Sequence, residues 1–143
     1  MFTRDSAIDT IRSHGMRLTP QRLAVVDALI SLRGTHPSAE QVATRVGDRV
    51  RGVSLSTIYK VLNEVADLNL VHRVTLDGST RFDDNLDGHV HLTCQQCGAV
   101  VDLALPDTVG QEIYAVGTAV GAQVESVAIS LDGRCASCIA RSN

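Results

Sequence analysis

Apolar residues recur at helical spacing through the first half of the chain and alternate, as strands require, through much of the second. Ser6–His14 reads as a short amphipathic helix closed by Gly15. Thr19-Pro20 supplies an N-cap and a first-turn proline for a helix over Gln21–Leu32. Its buried face is expected to carry Leu23, Val26, Leu29 and Ile30, with Asp27 facing solvent. The run Arg33-Gly34-Thr35-His36-Pro37 breaks that helix, and Ser38 caps the next, Ala39–Arg49, with Val42 and Val46 inward and Val50 just beyond. After Gly52, either Ser54 or Ser56 caps a fourth helix reaching about Leu68, with Ile58, Leu62 and Val65 on one face.

Leu70–Leu76 and Thr80–Asp83 are β-prone runs around Asp77-Gly78, the signature of a hairpin. Helices followed by a hairpin predict a winged helix-turn-helix. The polar stretch Asp84–Gly88 reads as a hinge. Beyond it, Val90–Cys94 and Ala99–Leu105 read as strands and Pro106–Val120 as a helix. Gly110 and Gly117 weaken that helix by about 1 kcal/mol each relative to alanine. Gln123–Leu131 alternates like a strand, and Asp132-Gly133 is expected to turn. The fold class is therefore α+β: a winged-helix domain over 1–83, a hinge over 84–88 and a small α/β domain over 89–143.

With 143 residues, 44% hydrophobic, 3% aromatic and no Trp, the chain suits one medium or two small domains with aliphatic cores. A net charge of −3 argues against broad electrostatic binding of nucleic acid. Most of the 13 basic residues, however, lie no later than Arg81, so any DNA contact is expected from the N-terminal half. No apolar run reaches membrane-spanning length and the N-terminus has no signal pattern, which predicts a cytoplasmic protein without a membrane partner.

The four cysteines fall in two CxxC pairs, Cys94-Gln95-Gln96-Cys97 and Cys135-Ala136-Ser137-Cys138. In a reducing compartment such pairs are metal ligands rather than disulfides, and two of them complete a tetrahedral sulfur cage. His89 and His91, two apart at a strand start, share a face, with Asp83 before them and Asp102 after. One set suits a permanent metal and the other an exchangeable one, which points to regulation more than catalysis. The sequence contains no HExxH, no GxSxG and no phosphate-cradling glycine loop, so a metal-dependent enzyme is the weaker reading. A thiol-redox protein is the other rival. It is disfavoured because neither CxxC is expected at a strand-to-helix junction that would depress a thiol pKa.

Four motifs in register give the chain a family likeness. Arg17-Leu18-Thr19-Pro20-Gln21-Arg22, Thr35-His36-Pro37-Ser38-Ala39, Ser54-Leu55-Ser56-Thr57-Ile58-Tyr59-Lys60-Val61-Leu62 and His89-Val90-His91-Leu92-Thr93-Cys94-Gln95-Gln96-Cys97-Gly98 together resemble the ferric-uptake-regulator (Fur) family. The resemblance implies a dimeric transcriptional repressor with a winged-helix DNA-binding domain, a dimerisation domain and a regulatory metal at their junction. On its pattern, Cys94, Cys97, Cys135 and Cys138 hold structural Zn2+. His36, Asp83, His89, His91 and Asp102 hold regulatory Fe2+ or Mn2+, with Zn2+ able to enter in vitro. Gly88, Val90, Val109 and Val127 stand where many members carry further ligands, so an additional site is not expected.

Asp83 together with Asp102 resembles the peroxide-sensing (PerR) branch, in which iron-driven oxidation strikes ligand histidines. The matching positions here are His36 and His89. An iron- or zinc-uptake repressor is the alternative within the family. Ser54, Ser56, Thr57, Tyr59 and Lys60 lie at or near the N-terminus of the predicted recognition helix. The resemblance implies that Tyr59 packs on thymine methyls, Lys60 holds phosphate, Arg17 reaches the minor groove and Arg22 holds backbone. The implied partner is a double-stranded, AT-rich palindromic operator.

Overall fold

In the computed structural model, which describes residues 2–124 and 129–142, the chain divides into two units, Met1–Leu86 and Asp87–Asn143. The first unit is built on capped helices. α1 (Arg4–Ser13) starts two residues before its expected position, because Thr3 and Ser6 form a capping box. It ends as expected at Gly15, whose φ of +70° allows the Met16 N–H to reach back to the Ile11 carbonyl. α2 (Pro20–Ser31) is capped by Thr19 and α3 (Ala39–Gly47) by Ser38, with Gln41 closing a second capping box. α3 stops short of the expected Arg49, whose N–H instead bonds the Val46 carbonyl in a tighter turn. Ser54, rather than Ser56, caps α4 (Leu55–Asp67) by accepting the Thr57 N–H.

These helices share one core: Val25, Val26 and Leu29 from α2, Val42 and Val46 from α3, Ile58, Leu62 and Val65 from α4. α2 is buried more broadly than its predicted stripe, with Ala24, Val25 and Ala28 inside, while Leu23 remains half-exposed. Asp27 does not simply face solvent. It is half-buried between Arg4 (2.9 Å) and Arg49 (3.4 Å), which tie α1 and the segment after α3 to α2.

The wing is the antiparallel pair β1 (His72–Leu76) and β2 (Ser79–Asp83). Asp77 and Gly78 both have positive φ, as a two-residue hairpin loop requires. Leu70 and Val71, expected in the strand, are instead buried beneath the end of α4. The Leu70 N–H bonds the Val65 carbonyl and the Asn69 N–H the Ala66 carbonyl, a closing motif that keeps this stretch with the helix. Phe82 anchors the wing: its side chain is fully buried and its N–H donates to the Pro37 carbonyl.

In the second unit, β3 (His89–Cys94) is central, paired antiparallel with β4 (Val100–Ala104). α5 (Asp107–Ala119) follows, and β5 (Ser130–Gly133) adds parallel to the other edge of β3. The strand expected over Gln123–Leu131 falls partly on 125–128, outside the described residues, as does Val127. Asp132-Gly133, expected to be a turn, ends β5, with Gly133 opposite Cys94. Sequence reasoning missed α6 (Ala136–Arg141). Gly117 is more than a helix weakness: a Cβ there would lie 2.1 Å from a Val124 methyl, so the bare backbone admits the chain that follows α5.

Candidate metal centres

The sulfur cluster is assembled by three backbone devices. Cys94 ends β3, its N–H donating to the Ala99 carbonyl at 2.8 Å. Gly98, at φ +73°, folds the first CxxC back so that its N–H reaches the Cys94 carbonyl. The Gln95 N–H donates to the Gly133 carbonyl at 2.8 Å, which draws the end of β5, and with it Cys135, alongside. Cys135 caps α6 and Cys138 lies in its first turn. The expectation that neither CxxC sits between a strand and a helix is therefore wrong for the second pair.

One sulfur from each of Cys94, Cys97, Cys135 and Cys138 lies within 4.8 Å of all the others. The Cys97 and Cys135 sulfurs are 3.7 Å apart. A disulfide needs about 2.05 Å. A tetrahedron with zinc–sulfur bonds of about 2.3 Å has edges of roughly 3.8 Å. The geometry fits a metal and not a redox pair. The Cys135 and Cys97 backbone N–H groups hold the Cys94 thiol down to about 6, which favours its thiolate. Burial pushes Cys138 up to about 12, and a divalent cation would supply the charge that lets it ionise.

His89, His91 and Asp102 form a second group in the same unit. His91 pairs directly across from Asp102 in the β3–β4 ladder, and His89 lies two residues earlier on the same face. The Nε2 atoms of the two histidines are 3.0 Å apart, and Asp102 Oδ1 lies 4.0 and 3.8 Å from them. His89 Nδ1 is 2.7 Å from the Asp87 carbonyl. Only a protonated Nδ1 makes that bond, which leaves Nε2 with its lone pair directed at the group, the tautomer a metal ligand needs. Metal–nitrogen bonds of about 2.1 Å at a right angle separate the nitrogens by roughly 3.0 Å, so the imidazoles fit one ion.

The first unit holds His36 and Asp83. Both are buried, with His36 Nε2 3.7 Å from Asp83 Oδ1. His36 has a φ of +50°, rare for a residue with a side chain. The loop is braced by Asp84, which bonds the Arg33 guanidinium (3.0 Å) and the Gly34 N–H (3.1 Å), while Asp83 accepts the Asn85 N–H (2.9 Å). Backbone strain sustained by such bracing is characteristic of functional positions.

The residues expected to read DNA are less uniform. The Ser54 hydroxyl is 3.0 and 2.9 Å from those of Ser56 and Thr57, a hydroxyl cluster at the N-terminus of α4. Arg17 and Lys60 are exposed. The hydroxyl of the exposed Tyr59 donates to Glu40 at 3.0 Å. Glu40's own backbone N–H and then that hydroxyl hold its carboxyl below the usual range, and the same bond raises the Tyr59 phenol. Arg22 grips Glu64 through two nitrogens (2.9 and 3.2 Å) and the Arg17 carbonyl through a third (2.7 Å), which makes it a brace between α2 and α4. Glu40, Glu64 and Arg141 went unnoticed in the sequence. Only Arg141, three residues after Cys138 on a helix, had a local spacing that could have revealed it.

A winged helix joined to a small α/β unit that carries a thiolate cage and a histidine–carboxylate group defines a metal-responsive transcription regulator. The chain belongs to the ferric uptake regulator family, whose model matches residues 13–131. It is 38% identical over 103 residues to the peroxide-responsive repressor PerR of Staphylococcus aureus, covering 71% of this chain and 69% of that one. Its fold matches the Helicobacter pylori ferric uptake regulator Fur, a protein described with three functional metal binding sites (TM-score 0.76, 23% identity, 96% and 94% coverage). It also matches a zinc uptake regulator in complex with zinc and DNA (TM-score 0.75, 23% identity, 97% and 94% coverage). Regulators of this family are dimeric DNA binders, and among the described residues no helix is long and apolar enough to cross a membrane.

Proposed function

We propose that the chain is a peroxide-sensing repressor of the cytoplasm, working as a homodimer on an AT-rich palindromic operator. Residues 1–83 read DNA, 84–88 act as the hinge and 89–143 form the dimer. Cys94, Cys97, Cys135 and Cys138 hold a permanent Zn2+. His36 and Asp83 join His89, His91 and Asp102 as ligands of an exchangeable Fe2+ or Mn2+, so that metal binding fixes the angle between the reading heads. The observation that carries this reading is the pair of Nε2 atoms 3.0 Å apart, with His89 held in the ligand tautomer by the Asp87 carbonyl.

Two features support peroxide as the signal: the carboxylate pair Asp83 and Asp102, and the 38% identity to a peroxide-responsive repressor. Bound Fe2+ would supply the one-electron chemistry that splits peroxide. His36 or His89 would take up one oxygen atom at a ring carbon, the displaced hydrogen and the second oxygen leaving in water, and an imidazole so oxidised no longer offers the lone pair a ligand must donate. Arg17, Ser54, Ser56, Thr57, Tyr59 and Lys60 contact the duplex. Arg22 supports them from beneath, positioning Arg17 through its carbonyl.

Mass spectrometry of the Fe2+ and Mn2+ forms after peroxide treatment tests this. The expected result is one added oxygen on His36 or His89 in the iron form alone, with loss of the operator mobility shift. Oxygen confined to cysteine or Met16 overturns the peroxide reading. If iron-dependent operator binding also survives that treatment, the chain is an uptake repressor.

A further inference from the structure

Four thiolates around one divalent cation carry a formal charge of about −2. The second unit is poorly equipped to balance it, since Arg134 and Arg141 are its only basic residues. Arg134 is engaged elsewhere, with Nη1 3.5 Å from the Ser142 hydroxyl. Arg141 turns inward. Its Nε donates to the Ser137 carbonyl at 3.3 Å, which fixes the fork, and its Nη2 reaches 3.4 Å from the sulfur of Cys138. Cys138 is buried while Arg141 is an exposed residue, so the bond to that sulfur comes from a residue that reaches solvent.

We propose that Arg141 shields the sulfur cage from electrophilic oxidants, so that peroxide is consumed at the histidine group and the zinc is kept. The inference rests on the reading of the four cysteines as a zinc site. Undefended, a sulfur lone pair attacks one oxygen of hydrogen peroxide. An S–O bond forms as the O–O bond breaks, the departing hydroxide takes the proton of the nascent sulfenic acid to become water, and the sulfur, oxidised by two electrons, is left as a sulfenate. A sulfenate is a poorer ligand, and the ion leaves. A charge-assisted N–H···S bond draws density from the attacking lone pair and occupies its approach. Cys94 receives a weaker version of the same protection from the Cys135 N–H at 3.3 Å. Arginine suits the position because two nitrogens of one rigid fork bind Ser137 and Cys138, a geometry that the single nitrogen of lysine does not reproduce.

The test uses the full-length, zinc-loaded protein and its Arg141→Gln and Arg141→Lys variants. A chromogenic chelator follows zinc release with and without hydrogen peroxide. The expected result is a several-fold faster peroxide-dependent release from R141Q and an intermediate rate from R141K, with the peroxide-free rates of all three alike. A purely structural role would raise the peroxide-free rate by the same factor, and that outcome overturns the proposal, as do equal rates under peroxide. If R141Q cannot be loaded, R141K alone decides, since it keeps the charge and loses the fork. Wild-type protein with well under one zinc per chain overturns the cage itself, and the inference with it. One zinc per chain with equal rates overturns only the part assigned to Arg141.

Discussion

The first unit buries a continuous cluster drawn from four helices and the wing, with Val25, Val26, Val42, Leu62 and Phe82 almost wholly inside. The second has little of the kind. Among its described residues, Val90 is the only buried aliphatic side chain, beside Cys94 and Cys138. α5 has no buried residue at all, and Tyr114 and Val116 on it and Val120 just after it stand exposed. A fully buried aliphatic side chain contributes about 1.5–3 kcal/mol, so the first unit has ample means to fold alone. The second does not. On the proposed reading a structural zinc would supply about 10–16 kcal/mol, and a second copy of the chain would cover apolar surface. One half is held by solvent exclusion within itself. The other is left to coordination chemistry and association.

The largest test of this contrast is zinc removal. Cys97→Ser, or a strong chelator, is expected to abolish hydrogen-exchange protection across β3, β4 and β5 while α2 and α4 keep theirs. Loss of protection in both units would mean that the first depends on the second. Leu62→Ala is the converse experiment. It should cost about 2–5 kcal/mol, seen as a lower melting transition of the helical unit with zinc content unchanged.

Arg22→Ala is expected to cost about 1.5–3 kcal/mol, because Glu64 loses a charge-assisted partner in a half-buried place. If operator affinity falls while the melting temperature holds, Arg22 is a DNA contact and not a brace. Ser54→Ala should be the mildest, about 1 kcal/mol from the lost cap. Fraying of the first turn of α4 in exchange data would locate it.

How much could be read in advance divides along the same line. Thr19, Ser38 and Ser54 act within three residues of themselves, so the starts of α2 and α3 were legible and that of α4 was narrowed to Ser54 or Ser56. The cysteine spacing and the Asp77-Gly78 loop were legible too. What stayed hidden depends on partners far along the chain. Asp27 is drawn from solvent by Arg4 and Arg49, and Arg22 is claimed by Glu64. α6 has six residues, too few for a periodic pattern, and takes its place from the Gln95–Gly133 bond. In the regulatory group, the His89–Asp87 bond and the His91–Asp102 register follow from strand pairing, which residue types alone do not specify.

β3 has a further consequence. It begins at His89 and ends at Cys94, so one rod about 17 Å long joins the imidazoles to the thiolates. A slip of one residue would turn both sets to the wrong side of the sheet. If the thiolates hold zinc as proposed, assembly is expected to run in one order: the permanent cation first, since it steadies the straight edge on which the replaceable one is mounted.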